Sequence, residues 1–124
     1  MTGVQTCALP ISEVFKRTPY VADLKPGGRY VAKDMFEAGG VPLLMKTLLE
    51  HGFLHGNCMT VTGRTITQNL KSVKWNPKQD VILPANKPLT KTGGVVGLKG
   101  NLAPDGAIVK VAGMDELKFT GPAR

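Results

Sequence analysis

Val41-Pro-Leu-Leu-Met-Lys-Thr-Leu-Leu-Glu-His-Gly52 is the stretch on which the reading of this chain turns. Val41, Leu44, Met45, Leu48 and Leu49 fall at i, i+3, i+4, i+7 and i+8, which predicts a helix over 41–50 with an apolar stripe along one side. Pro42 suits the first turn, where its missing N–H has no helical partner. Gly52 is the expected left-handed stop, and His51 sits where a cation meets the negative end of the helix. Such a stripe packs on the core of its own domain far more often than it serves as a groove for a partner.

Working outward, Tyr30-Val-Ala-Lys-Asp-Met-Phe36 predicts a short helix ended by Gly39-Gly40. Upstream of it, residues 14–31 read as an extended segment and a turn. Pro19 biases Thr18 toward extended geometry, and Lys25-Pro-Gly-Gly28 combines a fixed φ with permissive glycines. Downstream, Asn57 to Thr62 alternates as a strand does. Thr65-Ile-Thr-Gln68 is a capping box opening a second helix, whose apolar face continues through Ile66, Leu70 and Val73 until Asn76-Pro77. Residues 76–92, punctuated by Pro77, Pro84 and Pro88, read as a linker or surface loop. Val95-Val-Gly-Leu-Lys99 and Ala107-Ile-Val-Lys-Val-Ala112 predict a hairpin, joined by a longer loop with Pro104-Asp-Gly106 as its turn. The fold class is α/β, helices first and a β-hairpin last.

Composition bounds the rest. The chain has 124 residues, 42% hydrophobic and 20% charged, which is globular and amounts to one domain or less. No apolar run reaches the roughly 18–20 residues that span a bilayer, so no membrane partner is expected. Two cysteines exclude a disulfide-dense scaffold and a self-contained cysteine-rich metal site. The net charge of +7 is spread along the chain and not interleaved with aromatics as single-strand binders require. No nucleic-acid partner is therefore expected; a small basic RNA-binding protein is kept as the alternative of another class, and it predicts one continuous Lys/Arg face. A stand-alone hairpin interaction module would instead need a core closed within the chain.

Candidate chemistry is thin. His51 and His55 are spaced i, i+4, but Gly52 breaks the helix between them, and no H-E-x-x-H pattern follows. Cys58 has His55 nearby in sequence, yet a buried inert thiol is the expected state. The glycine-rich Gly93-Gly-Val-Val-Gly97 and Gly97-Leu-Lys-Gly-Asn101 match neither a P-loop nor a dinucleotide fingerprint. Gly100 and Asn101, after a strand, are weak candidates for a substrate-pocket edge, where backbone N–H groups approach an anion. No catalytic, cofactor-binding or metal-ligating residue is assigned.

Met1-Thr-Gly-Val-Gln-Thr-Cys-Ala-Leu-Pro-Ile11 resembles the translation of a sequencing adapter. It lacks the basic n-region and apolar length of a signal peptide. On this expectation native sequence begins near Ser12, and the chain is an internal piece of a longer protein.

Three collinear blocks resemble the dihydroxy-acid and sugar-acid dehydratase family. The first is Thr18-Pro-Tyr-Val-Ala-Asp-Leu-Lys-Pro-Gly-Gly-Arg-Tyr-Val31. The second runs from Ala38-Gly-Gly-Val-Pro through Leu48-Leu49 to His55-Gly-Asn-Cys-Met-Thr-Val-Thr-Gly-Arg-Thr65. The third is Gly94-Val-Val-Gly-Leu-Lys-Gly-Asn-Leu-Ala-Pro-Asp-Gly-Ala-Ile-Val-Lys-Val-Ala-Gly113, followed by Phe119-Thr-Gly-Pro-Ala-Arg124. Its Lys110-Val-Ala-Gly113 ending looks like the branched-chain dihydroxy-acid branch, leaving a sugar-acid dehydratase fragment as the alternative.

The resemblance implies an organisation: residues 12–81 as the tail of a large α/β N-terminal domain, 82–92 as a linker, and 93–124 as the first hairpin of a β-rich C-terminal domain. It implies a hydro-lyase of valine and isoleucine biosynthesis that turns a small-molecule 2,3-dihydroxy-3-methyl acid into a 2-oxo acid. The parent would be a cytoplasmic homodimer with an iron–sulfur cluster and Mg²⁺. Their ligands belong to family motifs outside this stretch, and Cys58 does not match a cluster motif. The piece alone is expected to be inactive and loosely packed, with the 41–50 stripe partly uncovered, an unpaired hairpin edge and few contacts between its two halves.

Overall fold

The computed structural model describes residues 5–114 and 120–122. Expectations for residues 1–4, 119, 123 and 124 lie outside the described residues. The order of elements is α1 (Gln5–Arg17), α2 (Ala32–Ala38), α3 (Gly40–Glu50), α4 (Ile66–Leu70), β1 (Val95–Gly100) and β2 (Ala103–Lys110).

Both helices around the opening stretch form where the spacing places them. Asp34 opens α2 by accepting the Val31 N–H at 2.8 Å. Gly39 lies between α2 and α3 with φ 129°, and Gly52 follows α3 with φ 79°. The buried side of α3 differs from the expected stripe. Leu43 and Thr47 are buried, whereas Leu44, Met45, Leu48 and Leu49 are half-buried and Val41 is 58% exposed. The face that meets the core is set by what packs against it, and that comes from far along the chain.

What packs there is the segment read as a surface loop. It is irregular but not superficial: Val81, Ile82 and Ala85 are buried. Val81 and Ile82 form the core with Ala38 and Leu43, and Leu24, Tyr30, Met35, Leu44 and Val73 pack around it. The segment runs antiparallel to 20–24 through isolated bridges Tyr20↔Thr90 and Ala22↔Ile82. Leu83 donates to the Val21 carbonyl at 2.8 Å, and Asp23 donates to that of Val81 at 2.9 Å.

A buried stretch without regular structure needs partners for its peptide groups. Two side chains supply them. Gln79 Oε1 accepts from the Val81 and Ile82 N–H groups at 3.0 and 2.8 Å, and its Nε2 donates to the Ile82 carbonyl at 2.8 Å. Thr47 Oγ1, on α3, accepts the Ala85 N–H at 2.9 Å. The prolines thus mark irregular backbone; burial of the apolar residues between them makes it part of the core.

Three other expectations are corrected. Residues 14–17 continue α1 and are not extended; Thr18 closes that helix by donating its N–H and hydroxyl to the Val14 carbonyl at 3.0 and 2.8 Å. The 57–62 alternation does not form a strand. It has only the bridge Met59↔Thr65, because the chain turns back at 60–63 and no second strand lies beside it. The capping box of α4 forms as expected, with Thr65 N–H to Gln68 Oε1 at 2.9 Å and Gln68 N–H to Thr65 Oγ1 at 3.3 Å. Yet α4 ends at Leu70, after which the Val73 N–H bonds back to the Leu70 carbonyl at 3.1 Å and Val73 drops onto the core.

β1 and β2 pair antiparallel, with Val96 opposite Val109, Leu98 opposite Ala107 and an irregularity between Leu98 and Gly100. The turn falls at Asn101-Leu102, and 103–106 belong to β2. Gly100 pairing with Ala103 closes the hairpin with a two-residue turn, so Pro104-Asp-Gly106 is not the connection. Among the described residues this sheet has two strands, so both outer edges lack a strand partner. The hairpin meets the remainder along α1, where a Cβ on Gly97 would stand 2.7 Å from Ser12 Oγ, and at the 26–27 turn. Gly93 donates to the Phe15 carbonyl at 2.7 Å. Gly113 lies so close to the Pro26-Gly27 turn that a Cβ on it would stand 2.6 Å from Gly27 Cα.

Candidate functional site

The Gly100–Asn101 candidate lies at the tip of the hairpin. Both residues are exposed, and the next residue, Leu102, is 97% exposed. A Cβ on Gly100 would meet nothing within 4 Å, so nothing encloses the backbone there. The tip offers open peptide groups and the neighbouring Lys99, but no walls.

The histidines and cysteine do not converge on a site. His51 Nδ1 lies 2.8 Å from the Thr47 carbonyl, which anchors the ring to the last turn of α3. His55 is exposed. Cys58 is a free, exposed cysteine, which corrects the expectation of a buried thiol: it stands on the connection between α3 and α4, away from the core. Among the described residues no three His, Cys, Asp or Glu side chains group as metal ligands.

The densest polar constellation is one that sequence reasoning did not find. Asp23 is buried; its Oδ1 accepts the Arg29 backbone N–H at 3.0 Å and its Oδ2 accepts Arg29 Nε at 2.6 Å. The same guanidinium reaches Asp80 Oδ2 at 3.2 Å through Nη2, and Tyr30 donates its hydroxyl to Asp80 Oδ1 at 2.7 Å. The guanidinium carbon lies 4.9 Å from the Tyr30 ring centre.

Charge-assisted bonds of this kind hold geometry as well as energy. Tyr30, by its hydroxyl, and then Arg29 hold the Asp80 carboxyl below the usual aspartate range. The bond to Asp80 pushes the Tyr30 phenol up, and the bond to Asp23 pushes the Arg29 guanidinium up. Each acid therefore already has a donor, and the cluster acts as a lock joining the 23–30 turn to residue 80. Gly28 permits the lock, since a Cβ there would stand 2.6 Å from the Asp23 carbonyl carbon and closer still to Asp23 Oδ1. Part of this was legible: Asp23 and Arg29 flank one glycine turn. Asp80 lies 51 residues from Arg29 and carries no local signal.

A second polar network shapes the 60–65 turn. Asn69 Nδ2 donates to Thr60 Oγ1 at 2.8 Å and to Thr62 Oγ1 at 3.0 Å, and Thr60 Oγ1 donates to the Arg64 carbonyl at 2.7 Å. These bonds fix the turn against α4. Beside them runs an apolar groove of about 360 Å³ between α3 and α4, lined by Val41, Pro42, Met45, Ile66 and Leu70, with Thr60 and Asn69 at its rim.

Four of the basic residues are paired with acids in separate places. Lys16 pairs with Glu13, Lys33 with Glu37, Lys46 with Glu50 and Arg29 with Asp23 and Asp80, on four different parts of the fold. That dispersal disfavours the RNA-binding alternative, which needs a continuous basic surface.

Comparison with known proteins agrees with the resemblance. Residues 2–69 match the family described as dihydroxy-acid/6-phosphogluconate dehydratase N-terminal, and residues 80–124 match its C-terminal counterpart. The first match begins within the eleven residues read as adapter, and residues 70–79 fall between the two. The chain is similar to dihydroxy-acid dehydratase 2 of Bradyrhizobium diazoefficiens, with 76% identity over 122 residues, covering 98% of this chain and 21% of the relative. It is 70% identical over 122 residues to dihydroxy-acid dehydratase 2 of Mesorhizobium japonicum, covering 98% and 21%. It is 62% identical over 122 residues to dihydroxy-acid dehydratase of Pelagibacter ubique, again covering 98% and 21%. The chain thus spans about a fifth of the length of the curated relatives it matches.

Proposed function

The chain belongs to the dihydroxy-acid/6-phosphogluconate dehydratase family, and we propose that it is the junction between the two domains of a dihydroxy-acid dehydratase. The observation that carries this reading is the 76% identity to a relative of that name across 98% of the chain. The reaction is loss of water across C2 and C3 of a 2,3-dihydroxy acid. The C2 proton goes to a base, the C3–O bond breaks as the hydroxyl takes up one proton and leaves as water, so that net one H2O is lost, and the enol tautomerises to a 2-oxo acid. The substrates we assign are the branched 3-methyl acids of valine and isoleucine biosynthesis, acted on in the cytoplasm by a homodimer.

In such an enzyme an iron–sulfur cluster and Mg²⁺ supply Lewis acidity. The described residues do not fit either group. A cluster takes several thiolates, and Cys58 stands alone on an exposed connection. Asp23 and Asp80, the acids that share Arg29, are already engaged by its guanidinium. We therefore assign both groups to the remainder of the longer polypeptide, and the catalytic base with them. This chain's own part is architectural. The Asp23–Arg29–Asp80–Tyr30 lock and the Thr47–Ala85 bond hold the 80–90 segment, where the C-terminal match begins, onto the 23–30 turn and α3. Gly100 and Asn101 remain our candidates for a contribution to the substrate-pocket edge.

Replacing the aligned segment of the full-length Bradyrhizobium relative with residues 12–122 of this chain tests the reading. The hybrid is expected to form 2-oxo acid from 2,3-dihydroxy-3-methylbutanoate in preference to gluconate, and the 124-residue chain alone to form none. A folded hybrid that prefers the sugar acid, or that turns over neither, overturns it.

A further inference from the structure

Helix α3 is apolar on more than one side. Leu43 and Leu44 face the core, while Val41 and Met45 line the groove toward α4. The core-facing side is covered, whereas the groove side is open and Val41 is 58% exposed. Around the groove the polar groups are already paired: Asn69 with Thr60 and Thr62, Thr65 with Gln68. The groove therefore asks for an apolar occupant and not for a hydrogen-bonding one.

The placement of the uncovered apolar side chains says where that occupant comes from. They are dispersed: Phe36 on α2, Val41 on α3, Met59 and Val61 beside α4, and Val96, Leu98 and Ile108 on β1 and β2. In the hairpin they occupy both faces, because Val96 and Leu98 alternate with the position opposite Ile108. One contact with a second copy does not reach all of these. A polypeptide about five times longer, as the relatives are, does.

We propose that the groove between α3 and α4 seats an apolar segment supplied by the remainder of the same polypeptide, not by a second copy. This rests on the reading of the chain as part of a longer dehydratase. The seat is an interior contact of the native enzyme, formed by Val41, Met45, Ile66 and Leu70.

A photo-reactive amino acid at Val41 of the hybrid enzyme described above tests it, followed by mass analysis of the irradiated protein. The expected product has the mass of one polypeptide, with the cross-linked peptide outside residues 12–122. A product of doubled mass overturns the proposal, and so does a cross-link within 12–122 or a water adduct alone. If the hybrid does not fold, the same probe at the position of the unmodified relative that aligns with Val41 yields the same readings. Turnover is scored separately. An active hybrid showing only water adducts removes this inference and leaves the dehydratase reading. A folded hybrid without turnover that gives the expected cross-link does the reverse.

Discussion

Replacing Thr47 by Val removes one oxygen from the centre of the molecule at nearly constant volume. Thr47 is 1% exposed, and its hydroxyl is the acceptor for the Ala85 N–H at 2.9 Å, across 38 residues of chain. Thr47→Val leaves that N–H buried beside a methyl group. An orphaned buried donor costs about 1–3 kcal/mol, which at roughly 4 °C per kcal/mol lowers Tm by about 4–12 °C. Thr47→Ser keeps the acceptor and loses one methyl, a change of about 1 kcal/mol. Urea unfolding of the chain, followed by circular dichroism and by the fluorescence of Trp75, its single tryptophan, measures both. The expected order of stability is Thr, then Ser, then Val. If Val is as stable as Ser or more so, the bond to Ala85 does not hold the 80–90 segment to α3, and methyl packing is the controlling contact.

Gly28→Ala drives a methyl against Asp23 and parts Asp23 from the Arg29 N–H, whereas Gly52→Ala has open space and only its φ of 79° to oppose it. The second costs about 1–2 kcal/mol, and the first is expected to lower the urea midpoint by more in the same unfolding experiment. Thr65→Ala removes the capping box of α4 and is expected to cost about 1 kcal/mol, read as a shift of urea midpoint at unchanged slope. Because Tyr30 and then Arg29 hold the Asp80 carboxyl low, the stabilisation from Asp80 is complete above its unfolded pKa. It is lost as pH falls through the depressed folded value. Tyr30→Phe should move the Asp80 carboxyl titration, followed by NMR, upward. The Tyr30 phenol is held high by Asp80, so its contribution is present below the unfolded phenol pKa and lost as pH rises through the raised value. Asp80→Asn should bring the Tyr30 absorbance titration down.

The weak pocket-edge candidates, Gly100 and Asn101, show how far local reading reached toward a site. Strand, turn and strand were legible from alternation and glycine, but whether anything walls the tip depends on neighbours that a local pattern does not encode. The Asp23–Arg29–Asp80–Tyr30 lock was half legible for the same reason. Its first pair closes one six-residue turn, and its second joins positions about fifty apart.

Local rules by themselves determined α2, α3, the capping box of α4 and the pairing of the last two strands. Each rests on interactions between residues a few positions apart: side chains sharing one helix face, a threonine bonding a peptide three residues on, alternation across a short hairpin. Motif identity along the chain likewise sufficed for the family. Tertiary structure alone decided which side of α3 is buried, that Val81 and Ile82 form the core of a proline-rich irregular segment, and that Cys58 is exposed. It also decided that 57–62 is no strand. Burial is a property of what lies across the chain from a residue, and a strand exists only when a second one supplies its hydrogen bonds; neither condition is written in the residues that must satisfy it.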